Sequence, residues 1–209
     1  MTAETIRAVI VAAGRSRRMG VFKPLLPLCG KTLIETTVNS VLSGGAESAT
    51  VVTGYRGEDV EQTLANAFGS RVQFVRNEAY AITDMKRSVQ IGVAAMPKCD
   101  AFFLLPGDMP AVSTETFRLL LNERARSHAP VIFPMLEARR RHPPLIDARL
   151  IPMLLSYDGE GGLRELWKQL ENEIRTVPVE DIGVRMDVDT PEDYELLLQN
   201  CDVFAKKGK

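Results

Sequence analysis

The sequence alternates apolar runs of strand length with segments that have the period of a helix. The runs are short, rich in β-branched residues and bounded by glycine or polar residues, which is typical of strands buried on both faces of a sheet. They lie at residues 7–14, 48–54, 71–77, 100–108, 129–135 and 173–179, with a possible further strand at 144–147. Helical periods lie between and after them, at 31–45, 58–69, 84–96, 113–125, 149–156, 163–171 and 191–200. This alternation predicts right-handed βαβ units and an α/β fold, with a mainly parallel central sheet covered by helices.

Length and charge narrow the class of protein. A chain of 209 residues without linkers or repeats predicts a single domain, with a core over 7–199 and a tail at 200–209. The 26 basic and 27 acidic side chains leave a net charge of −1. This balance argues against a broad basic face, and therefore against a nucleic acid or a membrane as partner.

The cysteines and the N-terminal region bear on the compartment. Cys29, Cys99 and Cys201 are odd in number and widely spaced, so we predict neither a disulfide framework nor a CxxC metal site. The apolar run at 8–13 is too short to span a membrane and follows no basic segment typical of a signal peptide. These features predict a cytoplasmic protein in a reducing compartment.

A glycine-containing loop follows the first predicted strand and reads AAGRSRRMGVFKP from Ala12 to Pro24. In parallel sheets, ligands bind beyond the carboxyl ends of the strands, where this loop lies. Gly14 and Gly20 allow backbone conformations in which N–H groups converge on phosphate oxygens. The loop matches neither GxxxxGK[ST] nor GxGxxG, which argues against P-loop hydrolases and NAD-dependent dehydrogenases.

The same loop concentrates positive charge. Arg15, Arg18 and Lys23 are suited to neutralising a polyphosphate and the charge of its transition state. The alternative is a solvated basic turn with no ligand. The position beyond a buried strand favours an anion site.

Acidic residues lie at the end of the strand at 100–108 and directly before the last helix. Asp108 ends the most apolar strand, and Mg²⁺ is commonly held by one or two carboxylates together with substrate phosphates. The alternative role for Asp108 is to cap the following helix. Asp187 and Asp189 lie two residues apart, so their side chains share one face of the chain if this segment is extended. They are candidates for further metal ligands. Capping of the last helix by Asp189 or Thr190 is the alternative there.

The segment AAGRSRRMGVFK resembles the signature of small MobA-like NTP transferases that make the dinucleotide forms of the molybdenum cofactor. The resemblance covers about residues 7 to 199. The guanylyltransferase branch has Gly-Gly where this chain has Ala13-Gly14, and Asp-Lys where it has Phe22-Lys23, so the chain looks like a cytidylyltransferase. The resemblance implies a Rossmann-like, three-layer nucleotide-diphospho-sugar transferase fold.

The resemblance also implies roles for single residues. Lys23 would act on the α-phosphate, Arg18 would hold phosphates, and Asp108 would bind the metal. Ser88-Val89 before Gly92 resembles the pyrimidine-reading segment of cytidylyltransferases, although a surface helix cap explains this segment too. The implied nucleotide-binding set is Ala12, Ala13, Gly14, Arg15, Ser16, Met19, Gly20, Arg87, Ser88 and Gly107.

Two further loops are candidates for the acceptor substrate. Relatives have Gly-His-Pro on the pterin side of the site, and this chain has Arg141, His142 and Pro143 there. A run of arginines is otherwise typical of a solvated face. Gly161 and Gly162, with Arg164, would let a loop close over an acceptor, but a plain helix entry explains them as well.

Together these features predict a Mg²⁺-dependent transfer of CMP from CTP to the phosphate of the molybdenum-pterin cofactor, with release of pyrophosphate. A molybdoenzyme or its chaperone is the expected recipient of the product. Two alternatives remain: a nucleotidyltransferase acting on a sugar or polyol phosphate, and a non-catalytic nucleotide- or cofactor-binding module.

Overall fold

The computed structural model describes residues 4–201, apart from the side chain of residue 17, so the predicted tail lies almost wholly outside it. Within that range the strands are β1 Ile6–Val11, β2 Pro27–Leu28, β3 Lys31–Thr32, β4 Ser48–Thr53, β5 Val72–Arg76, β6 Ala101–Pro106, β7 Val131–Leu136, β8 Arg139–Arg140, β9 Leu145–Asp147 and β10 Ile174–Pro178. The α-helices are α1 Leu33–Ser43, α2 Gly57–Phe68, α3 Met85–Ala95, α4 Thr114–Ser127, α5 Ile151–Ser156, α6 Leu163–Gln169 and α7 Pro191–Gln199.

One sheet holds eight of these strands, in the order β10-β7-β9-β6-β1-β4-β5, with β8 paired to β7. Strand β1 runs parallel to β4 and β6, and β10 runs parallel to β7, so the predicted mainly parallel sheet is confirmed. Strand β9 runs antiparallel to both β6 and β7. It follows β7 through a short hairpin rather than a crossover helix, and such a connection returns the chain in the opposite direction.

Helices cover both faces of the sheet, as the alternation predicted. In β1, Ala8 and Ile10 pack into one apolar cluster with α1, α2 and α4, whereas Val9 packs into another with α3, α5 and α6. This division follows from the two-residue period of a strand. No helix within residues 4–201 has the length and hydropathy needed to cross a membrane.

The segment around residue 31 differs from the prediction. The pattern suggested a helix from Lys31, but Lys31 belongs to the β2–β3 hairpin and α1 begins at Leu33. The side chains of Thr32 and Glu35 form a reciprocal capping box that explains this start. A small apolar cluster then packs the hairpin against the first loop and α7; it contains Met19, Leu28, Leu33, Ala111, Val188 and Leu197.

A buried arginine holds β9 in the sheet. The side chain of Arg124 is 6% exposed and forms ion pairs with Glu4 at 2.9 Å and Asp147 at 2.8 Å. Its guanidinium also donates to the carbonyl of Asp100 at 3.2 Å. Burial raises the pKa of Asp147, but the hydrogen bonds from Arg124 and the backbone of Arg149 outweigh it and lower that pKa overall. Arg124 therefore joins α4 to the ends of β6 and β9.

The prediction that the cysteines form no disulfide is wrong. Cys29, in the β2–β3 turn, is bonded to Cys201, just after α7, with the two Cα atoms 5.7 Å apart. Their sequence separation of 172 hid this proximity, because only the packing of α7 on the hairpin brings the two together. Cys99 is a free thiol, and burial raises its pKa to about 11.

Removing this disulfide is expected to lower the free energy of unfolding by about 2–4 kcal/mol, because it closes a long loop in the unfolded chain. Urea unfolding of the Cys29→Ser, Cys201→Ser double variant under non-reducing conditions measures the effect. Cys99→Ser serves as the control for losing a cysteine as such. Equal unfolding midpoints for wild type and double variant would contradict a stabilising disulfide.

Candidate active site

A cleft of about 620 Å³ opens at the carboxyl ends of β1 and β6. The first loop, the segments after β6 and β8, and the segment before α7 form its walls. Two backbone hydrogen bonds extend the strand pairing of the sheet into the floor of the cleft. Ala12 N–H donates to the Val52 carbonyl and Gly107 N–H to the Val11 carbonyl, both at 2.8 Å. The cleft thus lies where the strand-end rule placed the ligand site.

The first loop is held by its own side chains. Ser16 adopts the left-handed conformation, with φ of 53°, and its Oγ accepts a hydrogen bond from the Lys23 backbone N–H at 3.1 Å. Gly20, with φ of 67°, ends a short turn that buries Met19 in the cluster beside the hairpin. This closure directs Lys23 back into the cleft.

Lys23 is the centre of the charged groups in the cleft. Its side chain is 12% exposed, and Nζ lies 2.6 Å from Asp108 Oδ2 and 3.1 Å from Asp189 Oδ1. Arg18 Nη1 contacts the other oxygen of Asp189 at 2.7 Å. Two carboxylates that are far apart in sequence therefore converge on a single cation.

Neither Asp108 nor Asp189 acts as the cap of the helix that follows it. Ser113, not Asp108, caps α4, with its side chain accepting from Thr116 N–H. Thr190 caps α7 through a capping box with Asp193, which leaves the Asp189 side chain facing Lys23. The Asp108 carbonyl accepts from Val188 N–H at 3.1 Å and thereby sets the segment before α7 beside the end of β6.

These oxygens suit a hard divalent cation. Asp108 and Asp189 already share a positive charge, and Asp187 lines the same cleft. Among residues 4–201, no three His, Cys, Asp or Glu side chains are grouped closely enough to hold a metal by themselves. The predicted trio therefore forms no closed metal site, and two carboxylates with substrate phosphates and water would be the fitting set for Mg²⁺.

Of the two residues predicted at the start of α3, Arg87 and Ser88, only Ser88 lines the cleft. Ser88 is buried at the cleft, where Asn77 Nδ2 donates to its Oγ at 2.9 Å. Arg87 is exposed and does not line the cleft, and Asp84 caps α3 by accepting from the Arg87 N–H. The helix-cap alternative therefore holds for Asp84.

Tyr80 lines the cleft, although no sequence pattern predicted a role for it. The Arg15 guanidinium lies 5.3 Å from the centre of its ring. Gly54 packs beneath it so closely that an added Cβ would lie 2.8 Å from Tyr80 Cβ and 2.6 Å from the Ala13 carbonyl oxygen. The only sequence signal was an aromatic residue shortly after β5, which is too common to be informative.

Arg141 and His142 reach the cleft from the hairpin after β7. Arg141 Nε and His142 Nδ1 are buried and have no hydrogen-bond partner within the described part of the chain. Burial lowers the pKa of His142, so the imidazole is neutral at pH 7. The left-handed residues of this hairpin are Glu137 and Ala138 and not Arg141, so the backbone at position 141 does not require glycine.

The structure brings most of the predicted residues to the cleft wall: Ala12, Ala13, Gly14, Ser16, Arg18, Met19, Lys23, Ser88, Gly107, Asp108, Arg141, His142, Asp187 and Asp189. Four predicted residues do not line it, namely Arg15, Gly20, Arg87 and Pro143. Arg15 and Gly20 belong to the loop itself, and Pro143 is buried behind His142.

Comparison with known proteins decides the family. The model of the MobA-like NTP transferase domain matches residues 8–174. The chain belongs to this family. It is a nucleotidyltransferase with the nucleotide-diphospho-sugar transferase fold.

Several relatives are similar over nearly the whole chain. The molybdenum cofactor cytidylyltransferase of Escherichia coli K12 is 29% identical, over 90% of this chain and 93% of its own length. A protein named nicotine blue oxidoreductase, from Paenarthrobacter nicotinovorans, is 30% identical over 92% of this chain and 96% of its own. A nucleotidyl transferase structure from Methanothermobacter is 32% identical, covers 96% of this chain and 99% of its own, and superposes with a TM-score of 0.80.

Proposed function

We propose that this nucleotidyltransferase moves CMP from CTP to the terminal phosphate of the molybdenum-pterin cofactor and releases pyrophosphate. The convergence of Lys23, Asp108 and Asp189 beneath the first loop supports nucleotidyl transfer. The similarity to the Escherichia coli cytidylyltransferase supports the choice of CTP and of the molybdenum-pterin acceptor. The product would then pass to a molybdoenzyme or its chaperone.

The residues of the chain supply positioning and charge neutralisation. The acceptor phosphate oxygen is already anionic and forms a bond to the α-phosphorus, while the bond from that phosphorus to the bridging oxygen breaks and pyrophosphate leaves with the electron pair. No general base is needed. Lys23 and Arg18 neutralise charge on the phosphates, and the amides of the first loop orient them.

Asp108 and Asp189 are the residues that would hold Mg²⁺, since their oxygens already share one cation. When bound, Mg²⁺ supplies Lewis-acid stabilisation of the phosphate charge. His142, neutral and with an unpartnered buried Nδ1, supplies a hydrogen-bonding group on the acceptor side of the cleft.

Pyrophosphate release measured with CTP, GTP, UTP and ATP, each with and without purified molybdenum cofactor, tests the proposal. We expect release that requires both Mg²⁺ and the cofactor and that is fastest with CTP. Release with a sugar or polyol phosphate in place of the cofactor would favour the alternative acceptor. No release with any triphosphate and acceptor would favour a binding module.

A further inference from the structure

A second cavity of about 930 Å³ opens beside the first cleft, between the β6–β9–β7 part of the sheet and helices α3 and α6. The two cavities share wall residues at the ends of β1 and β6, at the start of α3 and in the hairpin after β7. His142 and Arg140 are among the shared residues. The two cavities therefore adjoin, and a ligand in the second would lie next to a nucleotide bound in the first.

The wall of this cavity is apolar and aromatic. Trp167 and Phe133 both line it, with ring centres 5.9 Å apart and planes at 78°, and Leu104 and Leu163 complete the surface. Sugars and polyols are bound chiefly through side chains that hydrogen-bond to their hydroxyls, and the surface formed by Trp167, Phe133, Leu104 and Leu163 offers only the indole N–H. A flat heteroaromatic ring buries well against such a wall.

The rim of the cavity carries cations. Arg140 is engaged by Glu171 through two bonds of 2.5 and 2.8 Å, and Lys168 pairs with Glu165. Arg139 and Arg164 are exposed on the rim, and no acidic side chain within residues 4–201 pairs with either of them. These two guanidinium groups are available to an anionic group on a ligand.

We propose that the second cavity binds the acceptor, that Trp167 selects an acceptor with a planar heteroaromatic ring over a sugar or polyol, and that Arg164 and Arg139 attract its anionic group. The inference rests on the proposed nucleotidyl transfer, because it names the acceptor side of that reaction.

The chain has a single tryptophan, so fluorescence excited selectively at tryptophan, and not at tyrosines such as Tyr80 in the first cleft, reports on the surroundings of Trp167. The probes are pterin-6-carboxylate, a planar bicyclic anion, and ribose 5-phosphate, an anion without a flat ring. Calorimetry measures their affinities for the wild-type protein, and quenching of Trp167, corrected for absorbance by the pterin, locates the binding. The affinity for CTP is measured in parallel with every variant.

We expect pterin-6-carboxylate to bind and to quench Trp167, and ribose 5-phosphate to do neither. Trp167→Leu should weaken pterin binding about tenfold to a hundredfold, the range for stacking of a planar base on an aromatic side chain. Trp167→Phe should retain much of the affinity, because it keeps an aromatic ring at this position. It is the more conservative change and therefore replaces Trp167→Leu as the test if the leucine variant fails to fold. Arg164→Gln should weaken binding about twofold to fivefold, as expected of an exposed ion pair, and the matched control Arg126→Gln, on α4, should not.

Three results would overturn the inference: no pterin binding by the wild type at millimolar concentration, equal affinity of wild type and folded Trp167→Leu, or preferential binding of ribose 5-phosphate in this cavity. If CTP binds and is turned over in such a case, only the recognition of the ring by Trp167 is refuted. If CTP is neither bound nor turned over, the proposed function itself fails.

Discussion

Replacing Asp108 by asparagine is expected to reduce nucleotidyl transfer at least about a thousandfold, while the protein stays folded. Asp108 ends β6 at the cleft and contacts Lys23 at 2.6 Å, and its carboxylate is a hard-oxygen ligand at the place where Mg²⁺ is proposed to bind. Asparagine keeps the shape of the side chain but removes the negative charge. The loss of metal-assisted charge stabilisation and of the pairing with Lys23 gives this magnitude.

The measurement is pyrophosphate release at saturating CTP and acceptor, together with thermal unfolding. Glu115→Gln, which neutralises an exposed carboxylate at the start of α4, is the matched control and should retain full activity. An Asp108→Asn protein with more than a tenth of the wild-type rate would rule out the assignment of Asp108 to the metal.

Lys23→Met should lower the turnover number about a hundredfold to a thousandfold and change the dissociation constant of CTP far less. The side chain is largely buried and sits between Asp108 and Asp189, so its charge is held in position before substrate arrives. A preorganised cation of this kind stabilises the transition state more than the ground state. Single-turnover kinetics separate the chemical step from binding.

A second readout distinguishes this role from a structural one. Removing Lys23 leaves Asp108 and Asp189 without the cation they share, so the nucleotide-free variant should bind Mn²⁺ more tightly than the wild type. Lys31→Met, at an exposed position in the β2–β3 hairpin, is the matched control for both readouts. A Lys23→Met protein that keeps its turnover number but loses CTP affinity would show a role in binding alone.

The parts of the site that the sequence predicted are those tied to the ends of strands. The first loop and Asp108 directly follow apolar runs, and parallel topology brings such positions to one edge of a sheet. The pairing of Lys23 with Asp189 was not predictable in the same way, because they are 166 positions apart in the sequence and the packing of α7 on the hairpin decides their contact. The disulfide between Cys29 and Cys201 depends on the same packing.

The sequence also could not predict which side chains face the cavities, because this depends on the orientation of each helix and loop. Arg87 stands next to Ser88, yet the turn of α3 places one in solvent and the other in the cleft wall. Trp167 has the spacing of an ordinary core residue on α6, and only the width of the neighbouring cavity distinguishes it from one. Tyr80 is comparable, since its position depends on close packing over Gly54.

The reversed direction of β9 has a consequence for how relatives of this chain can diversify. Residues 137–144, which include β8, connect the end of β7 to the start of β9, so the connection begins and ends at the same end of the sheet. Its length and sequence can therefore change without reordering any strand or moving the loop that carries Lys23. If this hairpin contacts the acceptor as we propose, grafting it between relatives is expected to alter the acceptor preference while the loop that carries Lys23 stays in place.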